Sequence, residues 1–370
     1  MNNDLTIFVL VGRLSKSLTA SKVMPIISCD RVSKVFVFRE EKGSEINGVR
    51  YCTLPICITK IKIKLFYKII RFVYEPLQLL VYSILHKPNY INGIYTLPNG
   101  LNSLIISKII RCKSIVSVIG GEIEIETYYK LTTFWKNLNL WMLCRCDIVT
   151  TKGSKVTNYL INNSIEKNKI FEFPGAIDTI RFNLKKYREK DIEVLFVGTF
   201  RRLKGPDRVL KIILHLRKDF PKIIGCLIGD GYLFDTIRKE VKRFHLKKNI
   251  MLVGYVNNPA QYIQRSKIII MPSRSEGLST AMLEAMACGC VPIISDVGNM
   301  TDAALHNINA MVVKDYMDIE TFTKYAKELL LDKIKWERLS RNGCKLVKEK
   351  YSVKAQEKIF ENILKFRENL

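Results

Sequence analysis

The chain alternates short apolar, β-branched runs with longer stretches whose apolar residues recur at three- and four-residue spacing. That pattern belongs to parallel sheets covered by helices. In the second half, the runs at 194–197, 223–228, 251–253, 268–271, 291–295 and 310–313 read as strands. Helices are predicted between them and again over 318–331, 335–350 and 352–369. The first half opens on an apolar, strand-like stretch that ends at Gly12. After the strand at 268–271 comes a polar turn, Ser273-Arg274-Ser275. Leu278, Ala281, Met282, Ala285 and Met286 then recur at helical spacing, with Ser279 or Thr280 placed to cap the helix.

That helix start carries the most specific chemistry in the chain. Glu276 stands in the loop before it and Glu284 inside it. A helix rises about 1.5 Å per residue, so Glu284 lies roughly 9 Å beyond Leu278 and can face the same crevice at greater depth. Free backbone N–H groups at a helix start attract phosphate, and carboxylates accept hydrogen bonds from sugar hydroxyls. A nucleotide sugar carries both groups. The plainer reading is that the two glutamates favour the positive helix end or point to water.

Composition sets limits on the rest. With 370 residues, 48% of them hydrophobic, the chain can bury a core in each of two domains, which excludes a disordered protein. Sixty Lys plus Arg against thirty-five Asp plus Glu leave a net charge of +25, which favours anionic partners such as diphosphates, lipid headgroups or nucleic acid. The excess is spread over both halves, with no basic tail, and this weakens the nucleic-acid reading. The close cysteine pairs are Cys144-x-Cys146 and Cys288-x-Cys290, without a CxxC or a histidine cluster, so they read as core or incidental thiols. There is no Asp-x-Asp metal motif. The start of the chain lacks a basic region and an apolar run long enough for a signal peptide or a span, so a reducing cytoplasm is expected. Between Lys60 and Lys87, Lys60, Lys62, Lys64, Lys68 and Arg71 interleave with aromatic and aliphatic residues. Such a stretch suits an anionic membrane surface, and equally a domain core with a basic outer face. Glu75 and Pro76 interrupt it, against a membrane span.

Several motifs agree in order with one family. The segment from Pro272 to Cys290 has the form strand-(S/R)-x-E-G-x6-E-A-M-A-x-G. Val197-Gly198-Thr199-Phe200-Arg201-Arg202-Leu203-Lys204-Gly205 is similar to a first strand followed by a G-R-x4-K-G loop. Ile228-Gly229-Asp230-Gly231 and Leu252-Val253-Gly254-Tyr255-Val256 are similar to two further strand ends, and Pro174-Gly175-Ala176-Ile177-Asp178 with Phe182 is similar to a P-x-G-x-D-x3-F interdomain hinge, with Ala176 in the glycine's place. Together they resemble the retaining glycosyltransferases of family four, of GT-B fold. The resemblance implies two Rossmann-like domains facing across a cleft: an acceptor domain over 1–180, a nucleotide-sugar donor domain over 181–350, and a terminal helix over 351–370 returning to the first. It also implies that Glu276 contacts donor-sugar hydroxyls, Glu284 contacts the ribose, and Lys204 binds the pyrophosphate. Gly277, Leu278, Ser279, Thr280, Gly198, Thr199 and Gly254 would complete the donor site.

Two departures stand out. Thr199 occupies the position of the family's arginine, leaving Arg201 and Arg202 as candidate replacements. Val118-Ile119-Gly120-Gly121-Glu122 resembles an H-G-x-D turn with Ile119 in place of histidine, so Glu122 becomes the candidate acceptor-binding or proton-accepting group. Glu122, Glu124 and Glu126 alternate and also fit an acidic solvated loop. The expected activity is retaining transfer from a nucleotide-diphosphate sugar to a saccharide or lipid-linked acceptor in bacterial surface polysaccharide or lipopolysaccharide synthesis. It would need no metal and no cofactor, and would take place in the cytoplasm, peripherally on the membrane. A GT-B nucleotide-sugar 2-epimerase and a basic nucleic-acid-binding protein remain as rivals, though the second leaves Glu276 and Glu284 unexplained.

Overall fold

The computed structural model describes residues 4–12, 14–43, 45–55, 64–120, 125, 133–184 and 190–366, with only the helical backbone described over 64–71. The chain forms two compact units, Met1–Ala176 with Val353–Leu370 and Ile177–Ser352. Each is an all-parallel sheet among helices.

In unit 1 the strands are β1 (Leu5–Gly12), β2 (Val32–Arg39), β3 (Val49–Thr53), β4 (Tyr90–Ile94), β5 (Lys113–Val118), β6 (Ile148–Thr151) and β7 (Ile170–Glu172), in the order β3-β2-β1-β4-β5-β6-β7. β4 and β6 are buried throughout, as strands covered on both faces must be. The helices include α1 (Lys16–Ile27), α2 (Lys64–His86), α3 (Leu101–Ile110), α4 (Thr133–Arg145) and α5 (Ser154–Asn162). α2 continues through Pro76. Phe72, one turn earlier, is exposed, so water can reach the carbonyl that Pro76 leaves without an N–H.

In unit 2 the strands are β8 (Ile192–Val197), β9 (Gly225–Ile228), β10 (Ile250–Gly254), β11 (Ser266–Met271), β12 (Val291–Ser295) and β13 (Met311–Val313), in the order β10-β9-β8-β11-β12-β13. They fall on the predicted runs. β9 starts at Gly225 rather than 223 because the Ile223 N–H is spent on a turn, donating to Phe220 O at 3.0 Å. Helices α6 (Pro206–Leu216), α7 (Phe234–Arg243), α8 (Ala260–Gln264), α9 (Thr280–Ala287), α10 (Ile319–Leu331) and α11 (Lys333–Leu346) follow in chain order. One apolar cluster packs Leu195, Ile269 and Ile294 with Met282 and Met286 of α9, and the other packs Phe196, Ile268 and Ile293 with α6 and α10. α11 starts earlier than predicted because Asp332 caps it, accepting from Lys335 N at 2.8 Å.

The last helix, α12 (Val353–Phe366), belongs to unit 1, where Phe360, Ile363 and Leu364 join the core that includes Val23 and Ile26 of α1. The terminal helix thus returns to the first unit, as expected. In both sheets the strand order reverses direction once, between β1 and β4 and between β8 and β11. In open parallel sheets, ligands bind beyond the carboxyl ends of the strands at such a point.

Candidate active site

β8 and β11 are hydrogen-bonded neighbours at the reversal point of unit 2, and the loops leaving them carry the two most informative charged residues. Lys204 Nζ lies 2.5 Å from Glu276 Oε2, while Glu276 Oε1 accepts from Ser273 Oγ at 3.0 Å. The Glu276 side chain is 7% exposed and that of Lys204 is 28%. A mostly buried carboxylate therefore holds a partly accessible cation at the mouth of the sheet. The backbone fixes the pair as well, since Arg274 N donates to Leu203 O at 2.8 Å.

Glycines let the loops meet. A Cβ on Gly229 would stand 1.8 Å from Gly198 O, and one on Gly298 would stand 1.9 Å from Glu276 O; both have positive φ. Gly198, Thr199 and Gly254 border the same strand ends: Gly198 N donates to Ile228 O, and Gly229 N donates to Gly254 O. Arg201 and Arg202 are exposed, with no hydrogen bond or ion pair from either guanidinium among the described residues, while the Arg202 backbone N–H donates to Tyr232 Oη at 3.1 Å.

Sequence reasoning missed Arg208, the third residue of α6. It is buried, its Nε donates to Pro272 O at 2.9 Å, and its Nη2 donates to Arg202 O at 2.8 Å. It ties the Lys204 loop to the Glu276 loop, and burial lowers its pKa. The signal was an arginine on the apolar side of an amphipathic helix, next to a Gly205 whose Cβ would strike that guanidinium.

Ser279 is the cap of α9, its Oγ accepting from Met282 N, and Thr280 is the first helical residue. Leu278 packs in the core, so it could meet a ligand only through its backbone. The Gly277 carbonyl accepts from Asn299 N at 3.3 Å, a bond that joins the β11 and β12 loops. The Glu284 side chain is buried within α9, with no hydrogen bond or ion pair of its own among the described residues. Burial raises its pKa from 4.5 to about 7, and the Arg181 charge opposes the rise. Arg181 is held by Asn258 Oδ1 at 3.0 Å and Asn257 O at 3.2 Å, in the loop after β10.

Glu122, with Glu124 and Glu126, lies outside the described residues. Ile119 beside it is core. Among the described residues no His, Cys, Asp and Glu cluster could hold a metal ion, and nine cysteines are free thiols, Cys144, Cys146, Cys288 and Cys290 included.

Residues 177–346 match the family described as Glycosyl transferases group 1. Among curated relatives, the N-acetylgalactosamine-N,N'-diacetylbacillosaminyl-diphospho-undecaprenol 4-alpha-N-acetylgalactosaminyltransferase of Campylobacter jejuni is 26% identical over 156 residues, 41% of this chain and 42% of that protein. The capsular polysaccharide biosynthesis glycosyltransferase CapH of Staphylococcus aureus is 31% identical over 163 residues, 41% of this chain and 44% of the relative. Each alignment thus spans less than half of the relative's length. Among solved structures, the Anabaena protein HepE in complex with UDP-glucose superposes with a TM-score of 0.76 at 13% identity, over 99% of this chain and 100% of HepE. TarM gives 0.74 at 11% identity, over 97% of this chain and 98% of its own. These likenesses establish the GT-B fold.

Proposed function

Because residues 177–346 match the family described as Glycosyl transferases group 1, we propose that this chain moves a sugar, with retention, from a nucleotide-diphosphate sugar to an acceptor hydroxyl in bacterial surface polysaccharide or lipopolysaccharide synthesis. The observation that carries this reading is the Lys204–Glu276 pair at the reversal point of the second sheet. Breaking the bond between the sugar carbon and the phosphate oxygen builds negative charge on the leaving diphosphate. A cation fixed before the reaction stabilises that charge without reorganising. Lys204 fills that role, and Glu276, already turned towards it, accepts hydrogen bonds from the sugar hydroxyls. Ser279, Thr280 and the backbone of Gly277 and Leu278 border the phosphates. Glu284, deeper in α9, accepts from the ribose once ionised, with Arg181 favouring the charged form.

No metal and no organic cofactor enter this scheme, because Lys204 supplies the positive charge; the diphosphate itself takes up the acceptor proton. Unit 1 holds the acceptor, and Glu122 is its candidate partner. One relative's name gives an acceptor class, a diphospho-undecaprenol saccharide, and the other's gives the setting, capsular polysaccharide biosynthesis. A membrane-bound acceptor calls for attachment at the cytoplasmic face. In favour of this, α2 turns Val73, Leu77, Val81, Ile84 and Leu85 to solvent, beside Ile105 and Ile109 of α3. Leu79 is the core-facing side of α2, so the apolar stripe is not accounted for by the core of unit 1. Among the described residues no helix is long and apolar enough to cross a membrane.

The test is a thermal-shift screen against UDP, GDP, CDP, ADP and dTDP and their sugars, repeated with Glu284→Ala. Selective stabilisation by one diphosphate, lost in the variant, is the expected result. Equal shifts for all, or a shift retained in the variant, would overturn the donor site.

A further inference from the structure

The loop after β8 carries three cations, Arg201, Arg202 and Lys204. Among the described residues, Lys204 alone of the three has a carboxylate on it, Glu276 Oε2 at 2.5 Å from its Nζ. That carboxylate is fixed from behind. Glu276 Oε1 accepts from Ser273 Oγ at 3.0 Å, and the Ser273 carbonyl accepts in turn from Ser295 Oγ at 2.7 Å. Both serines are buried, and Ser295 ends β12. The glutamate is therefore anchored to the sheet, whereas Lys204 reaches it on a flexible four-carbon stem with its side chain 28% exposed. Any exchange of partners falls to the lysine.

An ammonium is a compact point charge, and a carboxylate in contact with it cancels much of its field at any second anion. Glu276 and a diphosphate thus compete for one cation.

We infer that Glu276 is a product-release group, which reclaims Lys204 from the diphosphate once the sugar has gone. While the nucleotide sugar is bound, the sugar hydroxyls donate to Glu276 and Lys204 goes to the diphosphate. Transfer exchanges the sugar's bond to the diphosphate oxygen for a bond to the acceptor oxygen, and the acceptor proton goes to the diphosphate. The sugar then leaves with the acceptor. Glu276, only 7% exposed, is left without its donors, and an unpaired carboxylate at that depth is costly. It draws Lys204 back and the diphosphate loosens. The pair seen here is the end state of that exchange. The inference rests on the transferase reading, which makes Lys204 the diphosphate contact and Glu276 the sugar contact.

The experiment is calorimetric titration of the full chain with UDP, GDP, CDP, ADP and dTDP and with the matching nucleosides. Glu276→Gln keeps the shape of the side chain and removes its charge. It should bind the preferred diphosphate roughly tenfold tighter than wild type, with nucleoside affinity unchanged, even as turnover falls. Glu276→Ala should show the same gain, so either variant serves if the other fails to fold. In a Lys204→Met background, Glu276→Gln should change diphosphate affinity by less than about twofold, because no cation is left to compete for. Unchanged or weaker diphosphate binding in the folded Glu276 variants overturns the inference. A gain that persists in full beside Lys204→Met does so too, since it would be direct repulsion of the phosphates. If wild type binds no diphosphate, the transferase reading falls together with the inference; if it binds one and the variants show no gain, the inference falls alone.

Discussion

At the scale of single residues, the two glutamates are distinguished by their surroundings. Glu276 has a cation and a hydroxyl on its two oxygens, whereas Glu284 is buried and carries a pKa raised from 4.5 to about 7. Because that pKa is higher folded than unfolded, folding favours the protonated form. Its stabilising contribution is complete below pH 4.5 and is lost as pH rises through 7. Glu284→Gln should therefore unfold like wild type near pH 4.5 and be more stable at pH 8, by on the order of 3 kcal/mol. Urea unfolding at the two pH values checks this. If the ionised form receives the ribose, wild-type nucleotide affinity should fall below pH 7, and the Gln variant should show a flat profile. Lys204→Ala should lower the transfer rate roughly 10²–10³-fold and cost more affinity for the intact nucleotide sugar than for the nucleoside. Equal losses for both ligands would place Lys204 away from the phosphates.

At the scale of elements, the site is a set of loops held at contact distance by glycine and by one arginine. Gly298 has positive φ, and a methyl group there would enter the Glu276 carbonyl. Gly298→Ala is expected to cost about 2–4 kcal/mol in stability and to displace the Glu276 loop, so that both the melting temperature and nucleotide binding fall. Arg208 acts by position, bridging Pro272 O and Arg202 O. Arg208→Ala should impair turnover without altering nucleoside affinity, and Arg208→Lys should restore only part of it, since an ammonium cannot span both carbonyls as the fork does. Burst and steady-state kinetics on the two variants separate this role from mere destabilisation. Much of this layer was legible in the sequence. The Ser279 cap and the loop positions of Lys204 and Glu276 follow from local spacing, and Gly229 fell within a recognised strand-end turn. Arg208 was not legible, because nothing local distinguishes an arginine that tethers two loops from one on a solvated helix face.

At the scale of the whole molecule, the apolar residues of α2 and α3 and the charge of +25 bear on where the protein works. Co-sedimentation with vesicles rich in anionic lipid is expected, weakening as salt rises, and Leu77→Glu with Ile84→Glu should abolish it while nucleotide binding persists. Retention of the double variant on vesicles would assign the stripe to another partner.

The sequence by itself determined the alternation of strands and helices, the ends of the central strands, and the loop positions of Lys204 and Glu276 in the second unit. These depend on periodicity, capping and short spacings, all of which are local. Only the tertiary structure decided which charges touch, how deeply Glu284 is buried, and that Arg208 joins two loops. Those properties belong to the packing of segments far apart in the chain. The dielectric around a group, and the partners left to it, are set by neighbours that no local pattern names.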